Sequence, residues 1–364
     1  MSGGLLGVDV GGTFTDFLVW ERGRIRTHKL LTTPDEPSRA VRQGLLDLNA
    51  GLEEVIHGTT LATNALLERK GARTALLTTS GFRDVLEIGR QARQQLYSLH
   101  PARAEPIVPR PLRLELDERV GADGRIERAL DPASVEAALD QAVELGAEAI
   151  AVSLLFSFLD PVHERRVARA ARARGLFTSA SHEVLPEYRE YERTSTTVIN
   201  ASLSPLMARY LARLEGIAGA DGVRPRRLRV MGSDGGSLSP ATAASLAVRT
   251  VLSGPAGGVV GAFEVARAAG FDRVITFDMG GTSTDVSLCP GRILFRDESE
   301  VGGLPVRAPA TDVHTVGAGG GSLARIDAGG ALHVGPESAG ADPGPACYGR
   351  GELPTVADAH LLLG

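Results

Sequence analysis

Two copies of one eight-residue motif contain the residues best suited to chemistry in this 364-residue sequence. Residues 9–16 read Asp-Val-Gly-Gly-Thr-Phe-Thr-Asp, and residues 278–285 read Asp-Met-Gly-Gly-Thr-Ser-Thr-Asp, so six of the eight positions are identical. Paired glycines adopt positive φ angles readily and allow successive backbone N–H groups to point at one anion. The repeated motif therefore predicts two phosphate-binding turns.

The first Asp of each copy, Asp9 and Asp278, is the candidate catalytic residue. Such a carboxylate can hold a Mg²⁺ ion against phosphate oxygens, or orient and deprotonate an attacking hydroxyl or water. The alternative is a carboxylate that only accepts N–H bonds within its own turn. One copy alone is explained equally well as a hairpin turn, but two copies in matching contexts favour phosphate binding. The predicted phosphate contacts are Gly11, Gly12, Thr13, Thr15, Gly280, Gly281, Thr282 and Ser283.

Two further sets of residues are candidates for a site. His57 precedes Thr59 and Thr60 at the end of a predicted strand, where sites collect in α/β proteins, so this segment is a candidate substrate site. A structural role for this histidine is equally compatible with the sequence. Asp312 and His314 would lie on one face of a strand, a spacing suited to Zn²⁺ or another divalent ion, although a buried His–Asp hydrogen bond gives the same pattern.

The elements around the motifs alternate between strands and helices. Each motif lies between two short apolar runs, and a Gly-Arg-Ile turn follows, which predicts a strand-turn-strand-turn-strand meander in each copy. Between the copies the pattern predicts strands at 55–57, 73–78, 149–156 and 176–180 and helices at 61–69, 131–145 and 160–175. The longest predicted helix spans residues 192–216. This alternation predicts an α/β fold with mixed sheets.

The composition excludes several classes of protein. A net charge of −5 gives no indication of the basic surface that is typical of nucleic-acid-binding proteins, and no apolar run is long enough to span a bilayer. Two cysteines and the absence of a signal-peptide pattern predict a cytoplasmic protein without disulfides. No Gly-x4-Gly-Lys phosphate loop is present, and lysine occurs only at Lys29 and Lys70. We therefore expect phosphate charge to be met by backbone N–H groups, a metal ion and arginine.

At the level of whole motifs, the sequence resembles the hydantoinase A / 5-oxoprolinase family of the actin-like ATPase superfamily. The motifs that carry the resemblance occur in the family's order at residues 7–16, 57–64, 78–84, 252–258, 277–285, 312–322 and 338–349. The resemblance implies a two-lobe actin-like (ribonuclease H-like) fold with a duplicated meander. Its lobes would comprise residues 1–185 and 186–364, the second being incomplete because family members normally continue further.

The resemblance also implies an activity, cofactors and a partner. The activity is ATP- and Mg²⁺-dependent opening of a cyclic amide, such as 5-oxoproline or a hydantoin, through a phosphorylated amide. The partner is a separate B-type subunit, which predicts a hetero-oligomer. An acetone- or acetophenone-type ATP-dependent carboxylase subunit shares these motifs and is the nearest alternative. Further alternatives are a non-catalytic nucleotide-binding regulator and a scaffold without ligand.

Overall fold

The computed structural model describes residues 4–11, 14–33, 36–48, 52–92, 97–100, 105–220, 227–340 and 342–364, excluding the side chains of residues 218–220. The strands are β1 Gly4–Val10, β2 Phe14–Glu21, β3 Arg24–Leu31, β4 Leu52–Thr59, β5 Thr74–Thr79, β6 Arg113–Leu116, β7 Arg119–Val120, β8 Ile126–Arg128, β9 Ala149–Ser153, β10 Phe177–Ala180, β11 Arg227–Met231, β12 Ser237–Leu238, β13 Arg273–Met279, β14 Thr284–Pro290, β15 Phe295–Arg296, β16 Ser299–Val301, β17 Leu304–Val306, β18 Ala310–Thr311, β19 His314–Val316, β20 Ser322–Ile326 and β21 Leu332–Ser338. The α-helices are α1 Pro37–Leu48, α2 Leu61–Leu67, α3 Val85–Ile88, α4 Pro132–Glu144, α5 Val162–Ala173, α6 Ser181–Val184, α7 Glu190–Ala220, α8 Pro240–Ser245, α9 Ser253–Ala268 and α10 Val356–Leu363. Short 3-10 helices span Arg110–Leu112, Ala247–Thr250 and Ala346–Tyr348.

The first meander forms half of a mixed six-stranded sheet, in the order β12-β11-β4-β1-β2-β3. β1, β4 and β11 run parallel, whereas β2, β3 and β12 pair antiparallel with their neighbours. Burial alternates along β1, so that Leu6, Val8 and Val10 enter the core while Asp9 lies on the opposite face. This alternation is the period of two expected for a strand with one packed face, and it directs Asp9 away from the core.

A second sheet is entirely parallel, in the order β10-β9-β5-β6. Every residue of β5 and β9 is buried, as expected for central strands of a parallel sheet. Asp131 caps α4 by accepting hydrogen bonds from the N–H groups of Ala133 and Ser134, so this predicted helix start is confirmed. The helices on this sheet end before Gly146 and Gly175, both at positive φ, as the sequence indicates.

Helix α7 lies between the two sheets and packs into both cores. Ile199, Leu203 and Met207 belong to the core of the six-stranded sheet, whereas Val198 and Ala201 belong to that of the four-stranded sheet. A helix buried on both sides is expected to be apolar around much of its circumference. The longest predicted helix is therefore confirmed, and it connects the two halves of the core.

The second meander differs from the first in its third strand. β13 and β14 form an antiparallel hairpin, as predicted, but β14 then pairs with β19 rather than with the segment after the Gly291 turn. That segment forms β15, which pairs with β18. The chain thus forms β15 to β18 before β19 completes this three-stranded sheet.

The predicted α/β class with mixed sheets is confirmed, while the division of the chain near residue 185 stays a prediction. β11 and β12, from the second predicted lobe, pair within the sheet of the first. In the described part of the chain, no helix combines the length and apolar character needed to cross a bilayer.

Candidate functional site

The described parts of the two repeated motifs share their strand register and an equivalent hydrogen bond. Asp9 lies opposite Asp16 across β1 and β2, and Asp278 lies opposite Asp285 across β13 and β14. The N–H of Gly11 donates to the carbonyl of Phe14 at 3.0 Å, and that of Gly280 donates to the carbonyl of Ser283 at 2.9 Å. These two N–H groups close their own turns, so a bound anion would have to use other donors. Gly12 and Thr13, two of the predicted contacts, lie outside the described residues.

The last Thr of each motif faces the protein rather than the turn's open side. Thr15 is fully buried, and its hydroxyl lies 3.0 Å from that of Thr32. The matching Thr284 donates its hydroxyl to the carbonyl of Ala318. Both hydroxyls therefore hold the turn in place, and Thr15 makes a structural contact where the sequence predicts a phosphate contact. Thr282 is exposed and Ser283 half-exposed, so both stay candidates for ligand contact.

The glycine-rich segment 319–321 packs against the backbone of the second turn. The N–H groups of Gly320 and Gly321 donate to the carbonyls of Gly280 and Gly281, at 2.9 and 2.6 Å. A Cβ atom added at Gly319 would lie 2.7 Å from the Gly280 carbonyl oxygen, which is closer than a side chain allows. The glycines are required here because backbone packs directly on backbone.

One cavity of about 640 Å³ contains the first Asp of both motifs. Its walls come from the exposed face of the first meander, from β4 and β11, from the start of α9 and from β13. The lining residues are Gly7, Val8, Asp9, Asp16, Phe17, Leu18, Thr27, His28, Lys29, Ile56, Gly58, Met231, Ser253, Gly254, Gly257, Gly258 and Asp278. Residues 269 positions apart in the sequence thus meet in one cleft.

The first two turns of helix α9 lie beside both carboxylates. A Cβ atom at Gly254 would lie 3.9 Å from Asp9 Oδ1, and one at Gly258 would lie 3.5 Å from Asp278 Oδ2. These glycines are one helical turn apart on the same face. The positive end of the α9 dipole therefore lies beside the cavity, where it favours an anionic ligand.

Negative charge is concentrated around Asp9 in the cavity. Burial raises the pKa of the Asp9 carboxyl, the charges of Asp16 and Asp278 raise it further, and Lys29 opposes them. Asp9 faces the open cavity, yet enough protein surrounds the carboxylate to make its charge costly. A divalent cation would offset this concentration of negative charge, and Mg²⁺ is usually held by one or two carboxylates together with phosphates and water. Asp9 and Asp278 fit that role.

The His57 segment faces the other side of its strand. β4 pairs with β1 so that Gly58 lies opposite Asp9, and Ile56 and Gly58 line the cavity. His57 and Thr59 therefore point into the core, where both are fully buried and His57 Nε2 lies 2.9 Å from the Tyr210 hydroxyl. The hydroxyl of Thr60 donates to the Val10 carbonyl at the end of β1. These contacts position β1 and do not bring the His57 or Thr59 side chains to the cleft.

Asp312 and His314 lie away from this cavity. Both are exposed, on either side of the buried Val313, so they share a face as predicted. The Asp312 carboxylate lies 3.8 Å from an Arg296 nitrogen. Among the described residues, no group of three or more His, Cys, Asp and Glu side chains is placed to hold a metal ion. The pair thus has no third protein ligand for Zn²⁺ in this part of the chain.

Two family models match the chain and together cover nearly all of it. The model described as Hydantoinase/oxoprolinase N-terminal region matches residues 5–175, and the model described as Hydantoinase/oxoprolinase matches residues 193–364. The chain belongs to the hydantoinase/oxoprolinase family. The resemblance carried by the motifs is confirmed.

The relatives with a named activity include a caprolactamase, a 5-oxoprolinase and a carboxylase. The chain is 41% identical to caprolactamase subunit alpha of Pseudomonas jessenii, over 99% of this chain and 54% of that protein. It is 35% identical to 5-oxoprolinase of Saccharomyces cerevisiae, over 99% of this chain and 31% of that protein. It is also 35% identical to the gamma subunit of acetophenone carboxylase from Aromatoleum aromaticum, over 98% and 52%.

Two solved structures share the fold. The ATP-dependent caprolactamase of Pseudomonas jessenii matches with a TM-score of 0.85 and 40% identity, over 99% of this chain and 55% of that one. A nucleotide-free acetone carboxylase matches with a TM-score of 0.82 and 29% identity, over 99% and 54%. The family member described here thus spans about half the length of the caprolactamase and carboxylase chains it matches, and about a third of the 5-oxoprolinase.

Sequence reasoning missed one charged residue of the cleft. Lys29 lines the cavity, whereas no arginine does so among the described residues, contrary to the expectation that arginine would meet phosphate charge. The sequence contained a signal for this position, because a glycine at Gly23 between two predicted strands favours a tight hairpin turn. In the structure Arg22 and Gly23 form that two-residue turn, and both have positive φ. A hairpin closed at that turn places Lys29 opposite Asp16.

Proposed function

We propose that this chain is the nucleotide-binding part of an ATP-dependent enzyme that opens a cyclic amide. The observation that carries the proposal is the meeting of Asp9 and Asp278 in one cavity beside the N-terminus of α9. Two carboxylates, glycine-lined backbone and a helix N-terminus together suit a magnesium–triphosphate group. The identity of 41% to a caprolactamase subunit supports a cyclic amide as the second substrate.

The chemistry explains why a nucleotide is needed. Amide resonance makes the carbonyl carbon a poor electrophile, and transfer of the terminal phosphoryl group of ATP to the amide oxygen, with release of ADP, would activate that carbon for attack by water. The ring C–N bond would then break, with the nitrogen leaving as the protonated amine, and hydrolysis of the resulting acyl phosphate would release phosphate and the carboxylate. Asp9 and Asp278 would hold a Mg²⁺ ion, which would neutralise part of the charge on the phosphates. The glycine face of α9 leaves room for the triphosphate because no Cβ atom enters the cavity from Gly254 or Gly258.

Calorimetric titration with ATP, with and without Mg²⁺, tests the nucleotide site. We expect saturable, Mg²⁺-dependent binding that Asp278→Asn and Asp9→Asn each weaken at least tenfold. Asp312→Asn is the matched control, since its carboxylate lies outside the cavity. Absence of binding, or equal affinity in all four proteins, would contradict the assignment.

Phosphate release in the presence of candidate substrates tests the reaction. ε-Caprolactam, 5-oxoproline and hydantoin should stimulate release, and the chain is assayed alone and with a B-type subunit of the family. The proposal includes such a subunit, since the relatives named caprolactamase alpha and carboxylase gamma are themselves subunits. ATP binding without stimulation by any of these compounds would instead support a nucleotide-binding regulator.

A carboxylase subunit is the second candidate function. It is supported by the 35% identity to the acetophenone carboxylase gamma subunit and by the TM-score of 0.82 to acetone carboxylase. Release of phosphate stimulated only by a ketone together with bicarbonate, with ¹⁴C from bicarbonate entering the product, would favour it over the hydrolase.

A further inference from the structure

Lys29 is the only lysine at the cleft, and Lys70 is the other lysine of the chain. Its Nζ lies 2.5 Å from Asp16 Oδ1 and 4.7 Å from the centroid of the Phe14 ring. Asp16 in turn lies opposite Asp9 across β1 and β2. The ammonium group is therefore placed beside the first repeated turn, in the same cavity as both candidate metal ligands.

Among the residues that the structure describes, the second repeat has no equivalent cation. Asp285, which corresponds to Asp16, lies opposite Thr315 of β19 and accepts a hydrogen bond from its hydroxyl at 2.6 Å. The two motifs share their strand register and an equivalent hydrogen bond, but only the first has a cationic partner for its second carboxylate among the described residues. A purely structural requirement of the turn would apply to both copies, so the ammonium of Lys29 serves something other than turn formation.

The ion pair between Lys29 and Asp16 is easily exchanged for another partner. The Lys29 side chain is 57% exposed and that of Asp16 is 49% exposed. An ion pair exposed to this extent contributes little to the stability of a protein. Hydrogen bonds between an ammonium and a phosphate group are charge-assisted and stronger than neutral ones, and the flexible four-carbon stem of lysine can follow a ligand.

We infer that Lys29 is the phosphate-binding cation of the cleft and that Asp16 holds its ammonium until a phosphate group displaces the carboxylate. The inference rests on the proposed function, because it requires a nucleotide in the cleft. The inference also specifies the orientation of the nucleotide in the cleft. The Lys29 ammonium attracts the phosphate groups to the first repeated turn, because the second turn has carboxylates but no cationic side chain among the described residues.

Amine acylation read by peptide mass spectrometry tests the inference with an internal control. Lys70 is also paired with a carboxylate, Glu68 at 2.6 Å, but lies outside the cavity. We expect saturating ATP with Mg²⁺, and also tripolyphosphate, to slow acetylation of Lys29 at least fivefold and to leave Lys70 unchanged. Adenosine should not protect either lysine. Calorimetric binding of ATP without protection of Lys29 would overturn the inference alone, whereas absence of ATP binding would overturn the proposed function as well.

Substitutions separate a phosphate-binding role from a merely structural ion pair. If the pair only stabilises the hairpin, Lys29→Met and Asp16→Asn should weaken ATP binding alike. If Lys29 binds phosphate, Lys29→Met should raise the Kd at least tenfold, Lys29→Arg should recover part of the loss, and Asp16→Asn should retain or improve affinity. Lys70→Met is the matched control, and unfolding midpoints confirm that each variant is folded. An unchanged Kd in Lys29→Met would refute the inference.

Discussion

Replacing Gly44 by Ala tests the packing that holds the first repeated turn. Gly44 lies on the buried face of α1, directly over the ring of Phe17. A Cβ atom there would lie 2.1 Å from Phe17 Cζ, whereas ordinary contact begins at 3.4 Å. Phe17 is 2% exposed and adjoins Asp16 in β2, so neither the ring nor the helix can move into free space. The methyl group must therefore displace the helix or the hairpin of the site.

Two opposing effects decide the sign of the change in stability. Alanine is favoured over glycine within a helix by about 1 kcal/mol. Overpacking a close-packed core costs about 1–3 kcal/mol, and a displacement of more than 1 Å falls at the upper end of that range. We therefore expect Gly44→Ala to lower the free energy of unfolding by about 2 kcal/mol.

Urea unfolding followed by fluorescence measures this change locally, because Trp20, the only tryptophan of the chain, lies in the same strand as Phe17. Gly216→Ala in α7 is the matched control, since a Cβ atom there meets no atom within 4 Å and should stabilise the protein slightly. Phe17→Leu combined with Gly44→Ala should recover part of the loss, as expected for coupled neighbours. A midpoint that rises in Gly44→Ala as it does in Gly216→Ala would refute the predicted contact.

Three further substitutions address the acid stability of the core and the shape of the cleft. Burial lowers the pKa of His57 from 6.5 to about 4, so below pH 6.5 the unfolded chain binds a proton at this residue that the folded protein does not. The free energy of unfolding should therefore fall by on the order of 3 kcal/mol as the pH decreases from about 6.5 to 4. His57→Gln should remove this dependence in urea titrations, and a variant with the same pH profile as the parent protein would contradict the prediction. Gly258→Val would direct a side chain towards Asp278 and should abolish ATP binding measured by calorimetry while the unfolding midpoint stays near that of the parent protein. A Cβ atom at Gly321 would lie 2.8 Å from the Gly281 carbonyl oxygen, so Gly321→Ala should lower both ATP affinity and the unfolding midpoint, and a variant with parental values for both would count against the close approach.

Local features of the fold could be predicted from the sequence because their causes are local. The Asp-Pro start of α4 and the glycines after α4 and α5 fix helix ends through capping and positive φ. The duplicated motif likewise predicts two similar hairpins, and the matching strand registers and the hydrogen bonds at Gly11 and Gly280 confirm that both hairpins form. These interactions span only a few residues, so the sequence contains what determines them.

The parts that could not be predicted depend on which strands become neighbours. His57 points into the core because β4 lies beside β1 with Gly58, not His57, opposite Asp9. The pattern of β4 alone does not state which of its faces meets the cleft. The pairing of β11 with β4 is equally non-local, because it joins residues more than 170 positions apart. The convergence of Asp9 and Asp278 depends on such pairings, which is why the motif predicts the chemistry but not the cavity.

The same topology makes the two repeats electrostatically unequal. β3 follows β2 through a tight hairpin, and the register of that hairpin places Lys29 beside Asp16. β14 has β19 as its neighbour instead, and that strand offers only the Thr315 hydroxyl to Asp285. Burial raises the pKa of Asp285 and the nearby charge of Asp278 raises it as well, whereas the hydrogen bond from the Thr315 hydroxyl lowers it. The second carboxylate of the first repeat thus has an ammonium as its partner, whereas that of the second repeat has a hydroxyl. If Lys29 binds phosphate as inferred above, two turns of nearly identical sequence would contribute differently to one cleft, because the strand that neighbours each motif differs.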